Sequence, residues 1–249
     1  YVKDNPQSPM AHYLLALAHS GNRNIGQSKT ELAEAIKLNP RWEQPRLLMA
    51  DINFKEKNYS EVINQLNIIL KDNPSNTRAR ILLGDAYFSR KDINGAVREY
   101  DAVMTLSPDN PEVYIKSGKV LLYQKKEKEA LDRLEKALSL QPDNATALQF
   151  IVSVYMNQQN KDKAIERVQQ QIKVVPKNAA FHHMLGLLYE TKKDLVSAES
   201  YLKKAVELNP DLPMLQTSLG DFYMRQHLMD KAKNQYLTAL RKAPDSLPA

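Results

Sequence analysis

Proline stands at Pro6, Pro40, Pro74, Pro108, Pro142, Pro176, Pro210 and Pro244, always 34 residues apart with no gap or insertion. A period kept this strictly divides the chain into seven equal units. Each unit is too short to bury a core alone, so neighbours must stack into a solenoid that meets other molecules through a long repeated surface.

Composition agrees with a folded chain. Of 249 residues, 43% are hydrophobic and 26% charged, which is ordinary for a packed protein and excludes disorder. Quasi-one-dimensional stacking removes the need for an internal boundary, so residues 1–249 read as a single array. The absence of cysteine excludes a disulfide framework, a thiol nucleophile and a thiolate metal site. It leaves periplasm or cell envelope and cytoplasm equally open. No apolar run of about 18 residues occurs, so this segment is not expected to insert in a membrane. The start also lacks a basic segment followed by an apolar run. Yet Tyr1-Val-Lys-Asp-Asn-Pro6 repeats the register of Ile69-Leu-Lys-Asp-Asn-Pro74, and Leu247-Pro248-Ala249 falls on the first three positions of a further unit. The chain is therefore expected to be a window cut from a longer array, with any targeting signal outside it.

In this phase residues 1–8 are the tail of a preceding repeat, the units run 9–42, 43–76, 77–110, 111–144, 145–178, 179–212 and 213–246, and 247–249 open another. Each unit carries two helical patterns. In the third, Ile81, Leu82, Leu83, Ala86, Tyr87 and Phe88 form one apolar face, and Ala96, Val97, Tyr100, Val103, Met104 and Leu106 a second. Ser89-Arg-Lys-Asp92 is a polar turn between them. Ser8, Asn76, Asn110, Asn144 and Asn178 precede helix pairs as N-caps, and Pro9, Pro111 and Pro213 suit the first helical position. The periodic prolines stop the preceding helix, because proline lacks an N–H and clashes with the turn before it.

Small residues recur in phase. Position 8 is Gly84, Gly118, Gly186 and Gly220, or Ala16 and Ala50; position 20 is Ala96, Ala130, Ala164, Ala198 and Ala232. Glycine inside a helix costs up to about 1 kcal/mol against alanine, so four in one phase imply close helix approach. Larger residues fill the gaps, with leucine at Leu15, Leu83, Leu185 and Leu219 and tyrosine at Tyr87, Tyr155, Tyr189 and Tyr223.

Together these residues resemble the tetratricopeptide repeat family. Its signature of Leu-Gly, Tyr, Ala, an aromatic, Ala and Pro is carried by Leu219-Gly220, Tyr223, Ala232, Tyr236, Ala239 and Pro244. The signature tryptophan is replaced, by His12, Arg46, Arg80, His182 and Gln216 among others. Repeats one and two fit least well, with Ser28 and Val62 at the alanine position and His19 and Asn53 at the tyrosine position. The resemblance implies an all-α, right-handed α-solenoid of antiparallel helix pairs, bacterial in character, whose first helices line a concave groove.

Members of that family hold a partner peptide, helix or domain in the groove, so the resemblance implies a non-catalytic scaffold. It places Leu47, Asp51, Phe54, Arg78, Ile81, Asp85, Phe88, Lys119, Tyr123, Asn157, His183, Asp221 and Arg225 on the lining. The alternation of charged with apolar and aromatic groups suits a protein or peptide ligand with both kinds of anchor. Phe54 and Phe88 divide evenly between core and contact. Reversing the charges of Asp51 and Asp85 together is expected to weaken partner binding with little change in thermal midpoint.

Other functions find less support. The carboxylate clamp of chaperone-tail binders needs lysine and asparagine at positions 5 and 9 of a unit, which never occur together here; the nearest candidates, Lys119 and Lys116, stand without partners. The asparagine ladder of sugar-transferring relatives is absent, since position 6 reads Leu14, Leu48, Leu82, Lys116, Phe150, Met184 and Ser218. A net charge of +6 raises RNA as an alternative partner. It is disfavoured, because the units carry about +2, −1, 0, +1, +3, −1 and +2 with no continuous basic stripe. None of the five histidines forms a zinc pattern; His12 and His19, seven apart, read as packing residues. No P-loop, dinucleotide fingerprint or nucleophile elbow occurs, so neither enzyme chemistry, a cofactor nor a small-molecule substrate is expected. Self-assembly through the repeat ends is the alternative within the binding class. Arrays of this kind resemble tetratricopeptide proteins of exopolysaccharide export and envelope protein sorting.

Overall fold

The structure, a computed structural model, describes residues 6–242. Expectations placed on residues 1–5 and 243–249, including the stop at Pro244 and the unit opening at Leu247, lie outside the described residues. Fourteen helices and no strand occur among those described. The first helices of the repeats are α1 (Pro9–Gly21), α3 (Glu43–Lys55), α5 (Thr77–Ser89), α7 (Pro111–Tyr123), α9 (Ala145–Asn157), α11 (Ala179–Thr191) and α13 (Pro213–Arg225). The second helices are α2 (Ile25–Leu38), α4 (Tyr59–Asp72), α6 (Ile93–Leu106), α8 (Glu127–Leu140), α10 (Lys161–Val174), α12 (Leu195–Leu208) and α14 (Met229–Lys242). The fold is thus an α-solenoid of consecutive helix pairs. Packing divides it into two compact units, one holding α1–α7 and the other α8–α14.

Capping explains where the helices begin. Ser8, Asn76, Asn110, Asn144 and Asn178 each accept a hydrogen bond from a backbone N–H of the first turn, at 2.9–3.3 Å. Between the two helices of each repeat one non-glycine residue takes a left-handed conformation: Arg23, Lys57, Lys91, Lys125, Gln159, Lys193 and His227, with φ between 57° and 64°. In the third repeat Lys91 N–H donates to the Phe88 carbonyl and Asp92 N–H to that of Tyr87, both at 2.9 Å. This closes a Schellman motif and reverses the chain in three residues.

In the first unit, Leu47, Val62, Leu66, Ile69, Leu83 and Ala86 form one core across α3, α4 and α5. In the second, Leu202, Leu219, Phe222 and Tyr223 do the same across α12 and α13. Three of the in-phase glycines leave no room for a side chain: a Cβ on Gly84 would meet the Tyr100 ring at 2.5 Å, one on Gly186 the Leu202 side chain at 2.8 Å, and one on Gly220 the Tyr236 ring at 2.6 Å.

The position of the signature tryptophan has a polar task. Position 4 donates to the carbonyl of the proline six residues upstream in His12, Arg46, Arg80, Tyr114, His182 and Gln216, at 2.7–3.2 Å. The fifth repeat carries Leu148 there, and the Pro142 carbonyl is met instead by the amide of Gln171 in α10. The donor at position 4 thus pairs the carbonyl of an exposed proline at the joint between repeats, a bond that contributes about 0.5–1.5 kcal/mol net. His12 is therefore more than a packing residue. Its Nδ1 faces Glu31 at 2.6 Å while Nε2 faces Pro6 O at 3.1 Å. Both partners only accept, an arrangement that favours the doubly protonated ring and raises its pKa.

Candidate partner-binding surface

In the first unit, ion pairs and ring contacts bridge the first helices of successive repeats. Arg78 of α5 donates to Asp51 of α3 at 2.8 Å, and Lys116 of α7 donates to both oxygens of Asp85 of α5 at 2.8 and 3.0 Å. Asp51, Thr77, Arg78, Ile81, Leu82, Asp85, Asn110 and Glu112 surround one open cleft of about 410 Å³. Beside it on the same helices lies an aromatic shelf. Phe88 meets Tyr123 edge to face at 5.6 Å, and the Lys119 ammonium sits 5.4 Å from the Phe88 ring centre, within cation–π reach. Tyr123 is 57% exposed, so its outer face is open to a ligand.

Not every expected lining residue reaches this surface. Leu47 is buried within the core of α3–α5. Phe54 is half-buried against the same core and meets Tyr59 edge to face at 5.4 Å. Asp85 also accepts the Tyr100 hydroxyl at 2.7 Å. Burial, the adjacent Asp85 and their hydrogen bond together drive the Tyr100 phenol far above its ordinary range. Asp85 therefore ties α5 to α6, and the stability-neutral charge reversal expected from sequence is not available there. Lys116, expected to stand without partners, is engaged by Asp85 and, at 3.4 Å, by Glu112. Leu82 and Lys116 escape sequence reasoning as groove residues, because position 6 signals only a ladder site.

The second unit places the remaining candidates on α9, α11 and α13. Arg225 grips Glu190 of α11 with two bonds of 2.6 and 2.9 Å, which raises the guanidinium further above its ordinary value. The His183 ring and the Ser218 hydroxyl share a bond of 2.7 Å, and burial lowers the imidazole below its ordinary value. Asp221 accepts the Tyr236 hydroxyl at 2.7 Å, repeating the Asp85–Tyr100 arrangement. Asn157 is exposed on α9. Among the described residues no group of three or more His, Asp and Glu is placed to hold a metal, and no helix is long and apolar enough to cross a membrane.

Three family models match parts of the chain: two described as tetratricopeptide repeat, over residues 121–188 and 179–212, and one described as TPR repeat, over residues 84–125. No curated protein matches significantly. Among solved structures, yeast Tom70 is similar with TM-score 0.73 at 19% identity, over 97% of this chain and 53% of that one. Pseudomonas aeruginosa pilF aligns with TM-score 0.57 at 17% identity over 82% and 93% of the two chains. A structure of the APC/C hetero-tetramer Cut9-Hcn1 aligns with TM-score 0.54 at 17% identity over 88% and 44%. At these identities the likeness is one of fold.

Proposed function

Because the chain belongs to the tetratricopeptide repeat family, we propose that it is a non-catalytic scaffold that holds a peptide or helix of a partner protein on the first helices of its repeats. The observation that carries this reading is the face shared by α3, α5 and α7. There a charged cleft (Asp51, Arg78, Asp85) adjoins an apolar shelf (Ile81, Phe88, Tyr123) capped by Lys119. A ligand with an ionic group and an aromatic or aliphatic anchor a few residues apart satisfies both halves, and such buried aromatic and arginine contacts dominate interface energies.

Arg78 and Tyr123 are the cleanest probes, because both are exposed and neither belongs to the core. A partner isolated by affinity capture should bind the Arg78→Glu, Tyr123→Ala variant at least tenfold more weakly by calorimetry, about 1.4 kcal/mol or more. The variant's thermal midpoint should stay within a degree or two of the wild type. Equal affinity of both proteins for the captured partner would remove this face as the binding site.

A further inference from the structure

The turn between the two helices of each repeat requires one residue of left-handed backbone. Glycine and asparagine reach that conformation most readily, yet neither stands at any of the seven positions. In the first unit the residues are Arg23, Lys57, Lys91 and Lys125, with φ of 60–64°. Stability does not explain four cations in succession where each one strains the backbone. All four are exposed, and none has a carboxylate partner among the described residues. Lys55 and Arg90 stand beside them, exposed as well. The acids of the same turns are engaged inside the fold: Glu56 pairs with Lys29, and Asp92 accepts the Gly95 N–H at 2.9 Å to cap α6. The joints between repeats, at the other ends of the helices, mix the signs, with Arg41 and Lys71 beside Glu43, Asp72 and Asp109. Charge summed by repeat hides the basic edge, because the second repeat totals −1 while its turn is basic.

The form of the edge selects the polyanion. A single nucleic-acid strand is held in a groove, whereas these cations sit on turns, one per repeat, and none of them lines the cleft of α3, α5 and α7. A fluid layer of anionic headgroups adjusts to any spacing of charges and is attracted by each cation separately. The second unit adds an apolar group to an edge of the same kind. In its sixth repeat the turn cations Lys192 and Lys193 are followed by Val196, 83% exposed, where the other repeats carry Gly26, Ser60, Asn94, Lys128, Asp162 and Asp230. A valine so exposed adds little to the core. Beside lysines it suits the boundary between headgroups and acyl chains, where an apolar side chain leaves water while its basic neighbours stay among the phosphates.

We propose that the inter-helix turns of each unit form an edge that rests on the surface of an anionic lipid bilayer, leaving the cleft of α3, α5 and α7 open to a protein partner. The edge and the cleft share no residue, so either can fail without the other. The probes are vesicles of phosphatidylcholine alone and of equal parts phosphatidylcholine and phosphatidylglycerol. The whole chain should sediment with the mixed vesicles and not with the neutral ones, and should be released as salt rises well above physiological strength. Lys57→Gly, Lys91→Gly and Lys125→Gly together should weaken that binding about tenfold or more while raising the thermal midpoint, because each change also relieves the backbone. Lys37→Gln, Arg41→Gln and Lys71→Gln together remove the same charge from the joints and should cost far less affinity. Val196→Ser, which gives the sixth repeat the residue of the second, should weaken vesicle binding without moving the melt. No binding to the mixed vesicles, equal losses in the two triple variants, or unchanged binding by the glycine or serine variant would overturn the proposal. So would a nucleic acid that displaces the vesicles and loses affinity for the glycine variant alone, which would make nucleic acid the occupant.

Discussion

The Tyr100 hydroxyl donates to Asp85 across a gap of 2.7 Å that exists only because residue 84 has no side chain. A Cβ there would stand 2.5 Å from the tyrosine ring, which is 1% exposed and has nowhere to go. Gly84→Ala should cost about 1–3 kcal/mol, the usual range for overpacking. Gly220 stands in the same relation to Tyr236, with a Cβ contact of 2.6 Å, but that ring is only half-buried and can yield at the cost of its bond to Asp221. Gly220→Ala should cost visibly less. Urea midpoints of the two variants rank them, and an equal or inverted order would contradict this account.

Gln171, which donates to Pro142 where position 4 is the non-donor Leu148, gives a second test. Gln171→Ala leaves the exposed Pro142 carbonyl without its donor and should lower stability by about 0.5–1.5 kcal/mol. Adding Leu148→Gln, which recreates the geometry of Gln216 on Pro210, should recover part of the loss. Non-additivity of the two changes in a double-mutant cycle is the measurement.

Two histidines should give opposite pH responses. The hydrogen bond to Glu31 raises His12 above its ordinary 6.5, assisted by Pro6 and the charges of Glu31 and Glu34 and opposed by burial. Its contribution is complete below 6.5 and is lost as pH rises through the raised folded value. Burial lowers His183, so its contribution is present above 6.5 and is lost as pH falls below that toward the depressed folded value. His12→Gln should flatten the alkaline side of a plot of thermal midpoint against pH, and His183→Gln the side just below 6.5. NMR titration of the two rings checks the directions.

Lys57 and Lys91 hold φ of 61° and 64°, a conformation glycine reaches without strain. Neither belongs to the core. Lys57→Gly and Lys91→Gly should each stabilise by about 0.5–1 kcal/mol, read as a rise in thermal midpoint.

Much of the fold was legible because period, caps and small residues are local signals: Asn76, Gly84 and Ala96 each announce a backbone requirement by residue type alone. The site was less so. The sequence leaves Phe88 divided between core and contact, and the structure makes it half-buried beside an exposed Tyr123, whereas Leu47 points into the core; each distinction depends on the neighbouring helix. Asp85 looked like a free acid in sequence, since nothing local shows that Tyr100, fifteen residues on, will reach it. The replacements of tryptophan at position 4 share neither size nor charge in the sequence. Except at Leu148 their common property is a hydrogen-bond donor, invisible until the proline carbonyl is seen facing it.

That shared acceptor has a consequence for how the chain can vary. The joint between one repeat and the next asks only for a proton to give, so an imidazole, a guanidinium, a phenol and an amide serve in turn without altering the spacing of the prolines. Equal lengths thereby conceal unequal seams. One is held by an imidazole whose pKa is raised, another by a single amide two helices away, and one substitution changes either while the 34-residue pitch stays fixed.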